Sequence, residues 1–519
     1  MDITKINTFG ELKRTGYKPK SIKDELRDNL IKFLKDKKNP FEGIIGYDET
    51  VIPDIQTAIL SRHNIILLGL RGQAKTRIAR IMINLLDEYI PVVAGSELND
   101  DPFHPLSRFA KDIVNEQEDE TKIEWLHRSQ RYAEKLATPD VSVADLIGDV
   151  DPIKAAALKL PYSDERVIHF GLIPRSHRSI FVINELPDLQ ARIQVALFNI
   201  LQESDIQIRG FKVRLPLDIQ FIFTANPEDY TNRGSIVTPL KDRIDSQILT
   251  HYPKTLALSL QITEQESRFT NEQKKKVNTN QLLKDLVEQI AFEARASEYI
   301  DHKSGVSARL TISAYENLIS TAERRMILNN EDCTHLRISD LYGVIPAITG
   351  KIELVYEGEQ EGPAKVAHIL ISKAIRNMFD KYFPSPDKIN RKDPDLSRGK
   401  NQPERSRQQP GEANPYNSIT SWFNKGNIVD ILNTNSDKDY ENTLTKVPGL
   451  KEIVKKFQPI INGRDNILLM EFVLHGLAEY SMLSKFRLEN GLQFKDMLSS
   501  MFTVSEEDNN EDDNPDSIY

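Results

Sequence analysis

One cysteine, Cys333, occurs in the 519 residues of this chain. A single thiol excludes an internal disulfide and a cysteine-based metal site, and Cys333 is read as inert. Long apolar runs are missing too. None approaches the ~20 residues that a membrane-spanning helix needs, and the opening M-D-I-T-K-I-N lacks the apolar stretch of a secretory leader. A cytoplasmic protein without a membrane partner is expected. Positive charge is not in excess either. The net charge is −9, and Ser505–Tyr519 holds seven acids and no base, so −7 of the −9 sits there and −2 remains for all that precedes it. A nearly neutral body offers no electrostatic footprint for nucleic acid, so no nucleic-acid partner is expected. The ten histidines show no metal-ligand spacing, and His251 and His302 are read as structural. No nucleophile–base motif and no internal repeat is visible.

What is present is concentrated at Asn64–Arg77, N-I-I-L-L-G-L-R-G-Q-A-K-T-R. The apolar run Ile65–Leu68 has the length of a buried strand. It stops at Gly69; Leu70, Arg71, Gly72, Gln73 and Ala74 follow; Lys75 and Thr76 then open a helical pattern, Ile78–Leu86. Strand, glycine loop, Lys-Thr and helix are the parts of a phosphate-binding loop. Glycines let backbone N–H groups turn toward phosphates, Lys75 balances their charge, and Thr76 offers a hydroxyl to Mg²⁺. The helix N-terminus adds its dipole to the same anion site. One position departs from G-x-x-x-x-G-K-[ST]: Ala74 stands where glycine is usual.

Such a loop works with an acid at the end of a second apolar strand, and Ile180–Glu185, I-F-V-I-N-E, supplies one. Glu185 takes the place of the group that polarises an attacking water, while Asn184 stands where an aspartate usually supports Mg²⁺ through its water shell. A neutral amide brings no charge to the metal. Asn226, closing the strand Ile219–Phe223, is placed to orient water against a γ-phosphate. Arg243 in T-P-L-K-D-R is placed to reach the nucleotide of a neighbouring subunit, a role for which Arg233 competes.

Alternation of strands and helices through this region predicts an α/β fold with a parallel sheet. Its strands are Ile65–Leu68, Ile90–Ala94, Ser179–Ile183, Ile219–Phe223 and Gln247–Thr250. Residues 100–138 read as a polar insertion with helical character near Trp125–Leu136. Ile206–Leu215, centred on Arg209-Gly210, reads as a β-hairpin. The expected divisions are an N-terminal helical extension at 1–40, a nucleotide-binding domain at 41–252 and a helical lid at 253–383. A disordered linker at 384–415, a helical C-terminal domain at 416–503 and an acidic disordered tail at 504–519 complete the chain.

The sequence from Phe41 to Arg324 resembles the AAA+ ATPases of the branch containing magnesium chelatase subunit I and the MoxR proteins. The resemblance lies in F-E-G-I-I-G-Y, which places Gly46 and Tyr47 near adenine, and in V-V-A-G followed by Asp101-Pro102. It continues through the insertion Asp145–Asp151, Gly171-Leu172-Ile173, the N-P-E sensor at Asn226-Pro227-Glu228 and the arginine-finger motif Leu240–Arg243. Ser307-Ala308-Arg309 stands at the second sensor, so Arg309 is assigned to the γ-phosphate in cis. By resemblance, ATP and Mg²⁺ bind the loop from Gly69 to Arg77. The same resemblance implies a homo-oligomeric ring, usually a hexamer, that remodels a partner carrying a von Willebrand factor A-type domain. Two alternatives are a nucleotide-gated scaffold with little hydrolysis, suggested by Ala74 and Asn184, and an AAA+ transcription activator. The latter lacks a G-A-F-T-G-A loop and a helix-turn-helix.

Overall fold

The structure is a computed structural model that describes residues 5–162, 164–203, 205–208, 214–227, 236–387, 414–460 and 463–497. Most of the linker expected at 384–415, the acidic tail, the hairpin tip at 209–213, Glu228 and Arg233 lie outside the described residues. The chain forms two compact units, Met1–Tyr252 and Pro253–Tyr519.

The first unit is built on a five-stranded parallel sheet. Its strands in chain order are β1 (Ile65–Leu68), β2 (Tyr132–Leu136), β3 (Ser179–Asn184), β4 (Ile219–Ala225) and β5 (Ser246–Leu249). In space they run β5-β1-β4-β3-β2. A parallel sheet flanked by helices is the fold class expected from the sequence. β1, β3 and β4 are apolar almost throughout because both of their faces are covered. Ile66, Leu68, Phe181, Ile183, Phe221 and Phe223 point to one face. Ile65, Leu67, Ile180, Val182 and Ile222 point to the other. The second face is roofed by α1 (Ile22–Lys35), α2 (Val51–Leu60) and α3 (Lys75–Ile81). The first is covered by α4 (Ala191–Glu203) and by α5 (Thr238–Lys241).

The described part of the N-terminal extension packs onto this unit. Ile22, Leu26 and Leu30 of α1 are buried in its core, and Glu25 forms a two-pronged ion pair with Arg131, both bonds 2.7 Å. Both side chains are buried, and Arg131 also donates to the Arg178 carbonyl at 2.9 Å. That pair pins α1 to the start of the edge strand β2.

Two expectations are corrected in the first unit. The strand near Ile90–Ala94 exists as Tyr89–Val93, but it pairs antiparallel with Ile123–His127 in a separate ribbon. Its place in the parallel sheet is taken by β2, which pairs with β3, in a stretch expected to be helical. As an edge strand paired on one side only, β2 carries Tyr132, Glu134 and Lys135 and has no continuous apolar run. The hairpin expected around Arg209-Gly210 is present in its described part, Asp205–Gln207 against Arg214–Pro216.

The second unit contains the long helices α6 (Gln281–Ala296), α7 (Arg309–Leu328), α8 (Pro363–Tyr382) and α9 (Arg464–Glu479). Its C-terminal part is not all helical. β6 (Val429–Leu432), β7 (Ser484–Leu488) and β8 (Gly491–Lys495) form an antiparallel sheet in the order β6-β8-β7. Nor do residues 253–383 and 416–503 have separate cores: one apolar cluster runs from Val277 to Phe494. Buried polar bonds stitch the same seam. Glu471 of α9 accepts the Ile338 and Ser339 N–H groups at 2.7 and 2.9 Å and the Tyr440 hydroxyl at 2.6 Å. Cys333 is exposed.

Candidate nucleotide site

Parallel register places the candidate residues at one end of the sheet. Leu68 of β1 lies beside Ala225 of β4 and Leu249 of β5, so Gly69, Asn226 and Thr250 leave the sheet together. Ile183 of β3 pairs with Phe223, which sets Asn184 and Glu185 next to Thr224. Loops leaving the C-terminal ends of parallel strands are where such folds build ligand sites.

The loop after β1 has little room for side chains at its start. A Cβ on Gly69 would stand 1.9 Å from Thr250 Oγ1 and 2.1 Å from Gln73 Oε1. Those two atoms are themselves hydrogen-bonded at 2.7 Å. Gly72 has φ +75°, a conformation glycine adopts without penalty. Ala74 has φ 58° and ψ 15°. It therefore meets the left-handed requirement that glycine usually fills, and it carries strain in doing so. Two tyrosines brace the loop from outside. The Tyr47 hydroxyl lies 3.0 Å from the Gln73 carbonyl oxygen and 2.7 Å from that of His251. Tyr252 donates to the Arg71 carbonyl at 3.0 Å. Burial pushes the Tyr47 hydroxyl pKa up to about 12, so it remains a donor. His251 is a structural residue: its ring bridges the Tyr252 carbonyl and Thr50 Oγ1.

Lys75 is buried at the start of α3. Its ammonium donates to the Gly69 carbonyl, to the Leu70 carbonyl at 3.0 Å and to Asn226 Oδ1 at 3.0 Å. Beside it, Asn184 Oδ1 accepts the Thr76 hydroxyl at 3.3 Å and the Thr224 hydroxyl at 3.2 Å. Thr224 Oγ1 in turn accepts the Glu185 N–H at 3.1 Å. Glu185 sits at φ 54°, a left-handed turn that re-aims the chain immediately after β3. Thr224, Thr250 and Tyr252 therefore support the site, and none was among the residues read from sequence. Each is a polar residue adjoining a strand end, a weak signal until the register is known. Gly46, with φ +81°, precedes the buried Tyr47; Arg71 on the loop and Arg77 on α3 are half-buried.

The residues present suit Mg²⁺ and a polyphosphate. Hydroxyl and amide oxygens of Thr76 and Asn184 lie 3.3 Å apart, Glu185 follows in the chain, and hard oxygen donors of this kind suit Mg²⁺. No cluster of three or more His, Cys, Asp or Glu able to hold a metal occurs among the described residues. Any divalent ion here would therefore lean on phosphate oxygens for its charge.

Arg243 follows α5 on the first unit. It donates through Nε and Nη2 to Gln202 Oε1 at 2.9 and 2.8 Å and through Nη1 to the Pro239 carbonyl at 2.8 Å. Arg309 opens α7 in the second unit and is exposed.

No known protein-family profile matches this chain. Among solved structures, it is similar to NtrX from Brucella abortus, at 13% identity and a TM-score of 0.30. That match covers 55% of this chain and 54% of NtrX, so the chain spans about half the length of that protein. A putative ATPase from Cytophaga hutchinsonii matches at 18% identity over 70% of this chain and 98% of that one, with a TM-score of 0.28. A chain of the BchI–BchD complex of magnesium chelatase matches at 17% identity over 62% and 98%, with a TM-score of 0.31. Identities and scores this low carry nothing about activity. No helix among the described residues is long and apolar enough to cross a membrane.

Proposed function

We propose that this chain is a Mg²⁺-dependent ATP hydrolase of the AAA+ kind that works as a homo-oligomeric ring and remodels a partner protein. The observation that carries the reading is the convergence of Lys75, Thr76, Asn184, Glu185 and Asn226 at the ends of three neighbouring parallel strands. Lys75 and the amides of residues 69–76 bind the β- and γ-phosphates, and Thr76 with Asn184 holds Mg²⁺. The metal, when bound, neutralises charge developing on the phosphates. Glu185 takes a proton from the attacking water, Asn226 orients that water, and Gly46-Tyr47 borders the adenine. Arg309 in cis and Arg243 from a neighbouring subunit contact the γ-phosphate. The partner class fitting the sequence resemblance is a protein with a von Willebrand factor A-type domain, in a metal-insertion or MoxR-like chaperone system.

Steady-state turnover of wild type against Glu185→Gln tests the reading. The variant should lose roughly 10²–10⁴-fold in kcat, the usual worth of a general base, while still binding Mg-ATP. Equal rates near background in both proteins would overturn hydrolysis. A nucleotide-gated scaffold would then be the better reading, favoured by the strained Ala74 and the uncharged Asn184.

A further inference from the structure

Arg243 is held by its own subunit in an uncommon manner. Nε and Nη2 share Gln202 Oε1, Nη1 reaches the Pro239 carbonyl, and the guanidinium carbon stands 5.4 Å from the centroid of the Phe198 ring. Phe198 and Gln202 lie one turn apart on α4 and so share a face; Pro239 lies on α5. Every one of these partners is uncharged. Among the described residues Arg243 forms no ion pair, although carboxylates are common on this chain. Three of its five N–H groups are used, leaving one on each terminal nitrogen. Among the described residues the positive charge is therefore oriented without being neutralised.

We infer that Gln202 is a positioning residue for Arg243 and that its lack of charge is the property that matters. The inference rests on the trans role proposed for Arg243. An amide oxygen fixes the plane of the guanidinium and cuts the rotamer freedom that would be lost when it meets a phosphate. A neutral hydrogen-bond acceptor gives way readily to a phosphate oxyanion, because charge-assisted bonds are about twice as strong. A carboxylate at 202 would instead compete with the neighbour's phosphate as a second anion with matching bidentate geometry.

The test compares four full-length variants, Arg243→Ala, Gln202→Ala, Gln202→Glu and the double Gln202→Glu/Arg243→Ala, for kcat, KM and equilibrium Mg-ATP affinity. Gln202→Glu should lower kcat roughly fivefold, the upper worth of a solvent-exposed Arg–carboxylate pair, with Mg-ATP affinity unchanged. Added salt should recover part of that loss. Gln202→Ala should stay within roughly threefold of wild type, since it removes orientation but adds no competitor. In the double variant Gln202→Glu should add nothing to the loss from Arg243→Ala, because the two residues act as one unit. If Arg243→Ala loses activity while Gln202→Glu turns over like wild type, or if Gln202→Glu is equally harmful without Arg243, the role of Gln202 is overturned and that of Arg243 stands. If Arg243→Ala keeps wild-type turnover, both fall.

Discussion

Ala74 is the residue whose backbone contradicts its side chain. At φ 58° an L-residue costs roughly 1–2 kcal/mol, while glycine would add about 0.4–1 kcal/mol of unfolded-chain entropy. Strain relief is the larger quantity. Ala74→Gly is therefore expected to stabilise the chain by up to about 1 kcal/mol in denaturant unfolding, and a drop in stability would refute the strained conformation. Asn184 poses the complementary question about charge. Its Oδ1 already accepts two hydroxyls, from Thr76 and Thr224, and a carboxylate could accept both while adding a negative charge near the metal position. Asn184→Asp should lower the Mg²⁺ concentration for half-maximal turnover several-fold. An unchanged Mg²⁺ dependence would remove residue 184 from the metal site. Much of this arrangement was legible in the sequence because a glycine loop, a Lys-Thr pair and an acid after an apolar strand are local patterns. The side chains that buttress it were not. Gln202 and Arg243 are 41 positions apart, and Thr224 acquires its role only once β4 is known to lie beside β3.

At the scale of elements, α1 is fixed twice within its first turn. Glu25 anchors it to Arg131. At the start, Ser21 caps the helix, and Asp218, just before β4, accepts the Ile22 N–H at 2.7 Å. Burial raises the Asp218 pKa from its usual range to about 6. A carboxyl whose folded pKa exceeds its unfolded value of about 3.9 contributes most below pH ~4, and that contribution is lost as pH climbs through ~6. Wild type should therefore lose stability across this window relative to Asp218→Asn, whose amide oxygen can still accept the Ile22 N–H. Asp218 is partly exposed, so the difference at pH 7 should be on the order of 1–2 kcal/mol rather than the full shift. Urea titrations between pH 4.5 and 8 would measure it, and a difference independent of pH would show that Asp218 is not the titrating group. The elements that sequence reasoning misassigned have two physical causes. β2 is an edge strand with Arg80 paired to its Glu134. β6 finds its partner β8 about sixty residues further along the chain, so its pairing leaves little local imprint.

For the whole molecule, the proposed ring makes activity a property of the assembly. Turnover per subunit should rise with protein concentration and then level off, as neighbours bring Arg243 to one another's nucleotide. Arg243→Ala should flatten that curve. A specific activity independent of dilution, with subunits shown to dissociate by sedimentation, would count against a trans residue.

The continuous core running from Val277 to Phe494 has a mechanical consequence. Close-packed interiors deform little and pass strain onward. Among the described residues, a load applied at Arg309, where α7 begins, meets continuous packing as far as β8. The packed part of the second unit would then respond as one stiff body, its C-terminal sheet moving together with α7.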